Sequence, residues 1–71
     1  MVGRGTYMQR IYSIIQSYKC VKRVIIIDTI SKEFNITKDK AEDIVDKDLK
    51  RLIKYGLIER KGNGFYCVKQ P

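Results

Sequence analysis

The residues in this chain best suited to chemistry are cations set beside aromatics. Arg60 and Lys61 stand just before Gly62-Asn63-Gly64, and Phe65 and Tyr66 follow it. A guanidinium and an ammonium next to a tight turn can meet phosphate oxygens, and an exposed ring beside them can stack on a base or sugar. The whole chain carries the same bias. Lys and Arg number 15 against 8 Asp and Glu, a net charge of +7 on 71 residues. Such a surplus attracts polyanions, nucleic acid first and anionic membrane second. The plainer reading of the turn is a sheet edge that closes a small core, and both readings can hold together.

Other chemistry is poorly provided for. The sequence has no His and only two Cys, Cys20 and Cys67. The commonest general base and a favoured zinc ligand are therefore missing, and two thiols cannot fill a four-coordinate metal site. No nucleophile–base pair can be assembled. An enzyme is not expected, nor a metal or cofactor. The longest apolar run, Val24–Ile27, falls far short of the ~18 residues a membrane span needs. The opening MVGRGTYMQR lacks the apolar centre of a signal peptide. An intracellular, cytoplasmic protein outside the membrane is the expectation. The length suits one domain spanning residues 1–71, and a chain so short buries only about 60% of its unfolded surface.

These side chains need elements to hold them. Thr6 and Gln9 have capping-box spacing, and Tyr7, Ile11, Ile14, Ile15 and Tyr18 share one helical stripe. They predict a helix over 7–18, with Met8 and Tyr12 at the stripe's margin as a candidate dimer contact. Cys20 to Ile25 is β-branched-rich and predicts a short strand. Ile27, Ile30 and Phe34 predict a short helix over 26–34. Asn35 suits the left-handed end of that helix, Ile36 a plug into the core, and Thr37 the cap of the next helix, whose first turn carries Asp39. The third helix is predicted over 38–55 from Ala41, Ile44, Val45, Leu49 and Leu52, with Gly56 just beyond its end. LIER, KGNG and FYCV then read as strand, turn and strand, and the Gly-Asn and Asn-Gly pairs supply the positive φ of a hairpin.

A short helix, a three-residue break, a long helix and a basic hairpin resemble the winged helix-turn-helix family of DNA-binding domains. The residues that carry the likeness are ISKEFNITKDKAEDIVDKDLKRLIKYGLIERKGNGFYCV, and LKRLIKYGLIERKGNGFY most specifically. The Ile- and Lys-heavy style is similar to that of small archaeal and archaeal-virus regulators. The resemblance implies an α+β, α-rich fold with a small antiparallel sheet and a C-terminal hairpin wing. It implies double-stranded DNA as partner and regulation of transcription as role, with a dimer through the first helix. Leu49, Leu52 and Leu57 would anchor the long helix and the hairpin. The long helix would enter the major groove and the wing, 59–66, would rest on the backbone or minor groove. Carried over by position, Thr37, Lys38, Lys40, Asp43 and Lys47 would meet base edges, and Lys50 and Lys54 phosphate. Lys22, Arg23 and Ser31 with Lys32 would clamp the flanking backbone. Arg60, Lys61 and Asn63 would act from the wing.

The likeness also implies that the strand before the motif pairs with the last strand of the hairpin. Cys20 would then lie near Cys67, either as a disulfide or as two reduced thiols. The long helix departs from the pattern, because Asp39, Glu42, Asp43, Asp46 and Asp48 crowd into it. Carboxylates repel phosphate. Pairing of Asp43 with Lys47 and of Asp46 with Lys50 is expected to offset part of this, and an Asp can accept from a cytosine amino group. An accessory subunit that docks on a protein partner in replication or transcription machinery is the alternative. Asp48 falls near the centre of the apolar stripe. It should have a partner among Arg51, Lys22 and Arg23, lean out to water, or serve a subunit contact.

Overall fold

One long helix, α3 (Lys38–Lys54), is the element against which the others close. The computed structural model describes residues 4–69; residues 1–3, where the stretch read for a leader begins, lie outside them. Before α3 come α1 (Arg4–Tyr18), β1 (Cys20–Lys22) and α2 (Arg23–Glu33). After it come β2 (Ile58–Lys61), a short turn at Gly62–Gly64 and β3 (Phe65–Val68). The fold is α+β, with helices packed on a three-stranded antiparallel sheet of order β1-β3-β2.

The core is built from helical stripes. Ile11 and Ile15 of α1, Ile26 and Ile30 of α2, Val45, Leu49 and Leu52 of α3 and Ile58 of β2 are all buried. Each such side chain contributes about 1.5–3 kcal/mol on leaving water. Tyr7, Met8, Tyr12, Phe34 and Ile36 pack around this centre, with the Tyr7 and Phe34 ring centroids 4.5 Å apart. Thr37 caps α3 as expected, its Oγ1 accepting from the Lys40 N–H at 3.2 Å.

The junctions on either side of α3 both turn through a residue of positive φ. Gly56 has φ +78°, its N–H bonds the Ile53 carbonyl, and the Leu57 N–H bonds the Leu52 carbonyl. That is the paired bonding of a Schellman end, which satisfies carbonyls the helix leaves open. At the end of α2, Asn35 has φ 53° and the Ile36 N–H reaches the Ser31 carbonyl. The Ser31 hydroxyl donates to the Ile36 carbonyl at 2.7 Å. Ser31 is therefore part of the turn, not a backbone clamp.

Four expectations need correction. α1 begins at Arg4, so Thr6 lies inside the helix instead of capping it. The strand from Cys20 stops at Lys22, and α2 begins at Arg23. Val21 faces the core, so strand alternation carried through to Ile25 would have driven the Arg23 guanidinium inward as well. A helix from Arg23 instead buries Ile26, Ile27 and Ile30 and leaves Val24 and Ile25 outside. Leu57 is no anchor. It is 37% exposed, whereas Ile58 is 1% exposed and takes the inward place opposite Val68. β2 accordingly runs one residue later than LIER, to Lys61.

The strand register places Cys20 opposite Cys67, and the two form a disulfide. The Val68 N–H bonds the Lys19 carbonyl, so the Cys20–Cys67 row is a non-hydrogen-bonded pair, the closer of the two kinds in an antiparallel ladder. The bond spans 47 residues of sequence, and closing such a loop removes about 4 kcal/mol of unfolded-state entropy in the loop-closure account. Reduction, or Cys20→Ser with Cys67→Ser, should lower the thermal midpoint by roughly 10–30 °C, read by circular dichroism with and without reductant. In the oxidised protein, Ile58→Ala should cost about 2–5 kcal/mol in denaturant unfolding. Leu57→Ala should cost about 1 kcal/mol or less.

Candidate nucleic-acid interface

The sequence-predicted site residues lie on α3, on the start of α2 and on the hairpin. The first turn of α2 points Arg23 at α3. Its Nε donates to Asp46 Oδ1 at 2.7 Å, and one terminal nitrogen donates to Asp46 Oδ2 at 2.9 Å and Glu42 Oε2 at 2.8 Å. This fork engages a carboxylate in both of its parallel bonds. Arg23 is thereby a structural link between α2 and α3 and not a free phosphate clamp. Asp46 is taken by Arg23 and makes no ion pair with Lys50, contrary to the i,i+4 expectation.

Other cations are held too. Lys38 lies 3.6 Å from Asp28 of α2, and Lys32 shares that carboxylate at 3.2 Å. Lys47 pairs with Asp43 at 3.4 Å, as its spacing predicts. Lys61 lies 3.6 Å from Glu59. The Thr37 hydroxyl is engaged as the cap of α3. Lys40, Lys50 and Arg60 are exposed and make no ion pair among the described residues; Asn63 is exposed at the tip of the turn. Exposed pairs such as Lys47–Asp43 contribute about 0.2–1 kcal/mol and exchange readily for a stronger anion.

The strand ladder ties the hairpin to this surface. Lys22, Phe65 and Lys61 form one row across the sheet, and Arg23 follows Lys22 directly. The tip of the hairpin therefore sits beside the start of α2, and Arg23 bridges onward to α3. Glu42 and Asp46 stand between the cations of the hairpin row and Lys38. One guanidinium against two carboxylates leaves that junction slightly negative. Within 38–45 of α3, Asp39, Glu42 and Asp43 outnumber Lys38 and Lys40, whereas within 46–54 Lys47, Lys50, Arg51 and Lys54 outnumber Asp46 and Asp48. The positive surplus lies toward the C-terminal half of α3 and on the sheet.

Asp48 is the buried exception, 5% exposed. It lines a cavity of about 250 Å³ between α1 and α3, with Tyr7, Ile44 and Arg51. None of its foreseen partners forms an ion pair with it; Arg51 acts only through its nearby charge. Burial raises its carboxyl above the ordinary range, with Arg51 opposing. Asp46 shifts the other way, lowered chiefly by the Arg23 hydrogen bond.

Exposed aromatic and aliphatic residues were the least legible from sequence. Tyr18, Ile25 and Tyr55 lie outside the core, and the only available signal was the ambiguity of Val24–Ile27 between strand and helix. Comparison with protein-family models, with characterised proteins and with solved structures finds no match. Among the described residues, no helix is long and apolar enough to cross a membrane.

The two aspartates give opposite pH dependences. A lowered folded pKa, as in Asp46, contributes stability above the unfolded carboxylate range that is lost as pH falls through the folded value. A raised one, as in Asp48, costs stability as pH rises above the unfolded value, fully so once pH passes the folded one. Asp48→Asn should therefore stabilise the protein at pH 7. The difference from wild type should shrink toward zero in acid, as measured by denaturant midpoints along a pH series.

Proposed function

We propose that the chain is a winged helix-turn-helix domain that binds duplex DNA and regulates transcription. In this reading α3 faces the major groove, and the hairpin Ile58–Val68 rests on the adjoining backbone or minor groove. The observation that carries it is the distribution of charge. The segments 19–22 and 57–69 hold Lys19, Lys22, Arg60, Lys61 and Lys69 against Glu59 alone, and the hairpin row adjoins α2 and, through Arg23, α3. Phosphate contacts from Lys22, Lys40, Lys50, Arg60 and Lys61 supply most of the affinity, and such affinity falls steeply with salt. Base contacts are few. Asp43 and Lys47 neutralise each other at rest and separate on the DNA, where Asp43 can accept from a cytosine amino group.

A second reading has its own support. Glu42 and Asp46 interrupt the cationic surface, and an apolar groove of about 330 Å³ opens between α1 and the end of α3, lined by Met8, Tyr12, Leu52, Tyr55 and Leu57. That combination suits a protein-docking subunit, or a homodimer through α1.

Electrophoretic mobility of a short duplex at several salt concentrations separates the two. Lys40→Ala, Lys50→Ala and Arg60→Ala should each reduce the salt slope by about one unit and weaken binding uniformly across sequences. Unchanged affinity in the triple variant would remove the DNA reading and leave the docking one.

A further inference from the structure

The sheet has a second face, turned away from the helices. Val21 and Tyr66 look into the core, so strand alternation sends Cys20, Lys22, Phe65 and Cys67 to the other side. There the Lys22 ammonium lies 5.6 Å from the centre of the Phe65 ring. Lys61 is the register partner of Phe65 on the opposite strand. Tyr18 at the end of α1 is 58% exposed, and Ile25 projects from the first turns of α2. Tyr18, Lys22, Ile25 and Phe65, with Cys20 and Val21, line an open depression of about 420 Å³; Lys61 is not among its walls and lies 3.6 Å from Glu59.

The chemistry of this depression is specific. Two aromatic rings and an aliphatic side chain supply flat apolar surface, the Lys22 ammonium stands among them, and Lys61 follows on the neighbouring strand. A planar ring joined to an anionic linker satisfies both. In a duplex the bases are already stacked on one another, so their faces are unavailable; in a single strand they are free to stack on protein rings. The lining holds one hydroxyl, that of Tyr18, and otherwise hydrocarbon, sulfur and ammonium. Little there rewards a 2′-hydroxyl. An acidic peptide would satisfy the ammonium groups but leave the rings uncovered.

We propose that the outer face of the sheet binds unpaired nucleotides of a DNA single strand, with a base against Phe65 or Tyr18 and its phosphate on Lys22 and Lys61. Lys22 swings from its place over the ring to the phosphate as the base arrives. The site lies off the outward face of α3 and does not rest on the duplex reading, although it shares Lys22 and Lys61 with the duplex contacts proposed above.

Fluorescence anisotropy of an end-labelled dodecathymidylate with the oxidised full chain tests this. Tyr18→Ala and Phe65→Leu should each weaken binding by about fivefold or more, the loss expected for one stacked base. Phe65→Leu removes the ring but leaves an apolar side chain, and an unchanged thermal midpoint shows that the fold is kept. Duplex affinity of Tyr18→Ala should stay within about twofold of wild type, since Tyr18 ends α1 and lies off both α3 and the hairpin. Retained single-strand affinity in both variants would overturn the proposal, as would no binding by the wild type. Stronger displacement by a polyglutamate peptide than by unlabelled strand, or a preference for oligouridylate beyond about tenfold, would also overturn it. Single-strand binding without duplex binding would uphold this site and remove the duplex reading.

Discussion

Cys20 and Cys67 face each other across β1 and β3, and much of the architecture follows from where that row is pinned. β1 is three residues long, so few backbone bonds fix its register and the covalent row adds to them. Fixed to the central strand, it sets the point at which the chain must leave the sheet. It leaves at Arg23, whose side chain lands on Asp46 and Glu42 of α3. A covalent row in the sheet and an ionic link one turn beyond it thus hold α2 at both its start and its angle. The apolar faces of the three helices then meet around Ile26, Ile30, Val45 and Leu49.

The same ionic link shapes the surface. α3 carries nearly balanced charge, but its carboxylates do not all face outward alone: Asp46 and Glu42 are bound by Arg23, and Asp43 by Lys47. A helix that looks hostile to phosphate as a string of letters is largely self-neutralised in three dimensions. Lys38 is likewise occupied by Asp28. Lys40, Lys50 and Arg60 keep no ion pair among the described residues, so the proposed DNA contacts spread from the start of α3 to its C-terminal half and the hairpin.

Much of the architecture could be read from sequence where the signal was local. The long helix announced itself through Ala41, Val45, Leu49 and Leu52, and its ends through Thr37 and Gly56. The hairpin was legible in Gly62-Asn63-Gly64, since Asn63 and Gly64 take the positive φ that its chemistry foretold. The Cys20–Cys67 pairing came through family resemblance, not through spacing. What could not be read was tertiary. Nothing local marks Arg23 as the partner of a residue 23 positions away. Val24 and Ile25 are good strand formers, and only the cost of burying Arg23 tips the segment to helix. Leu57 and Ile58 are equally apolar neighbours; the helix-end hydrogen bond of Leu57 decides which of them turns inward. Lys19 adopts φ 70° between α1 and β1 without a glycine to advertise the bend.

The disulfide also divides the chain unequally. The covalent ring it closes contains α2, α3 and the hairpin, while α1 remains outside, docked by its isoleucines, by Tyr7 on Phe34 and by the Arg10–Glu33 fork. Inside the ring, every segment stays tethered at both ends. α1 is joined to the ring through one end only, so an exchange of parts between two molecules that kept each ring whole would have to trade this helix.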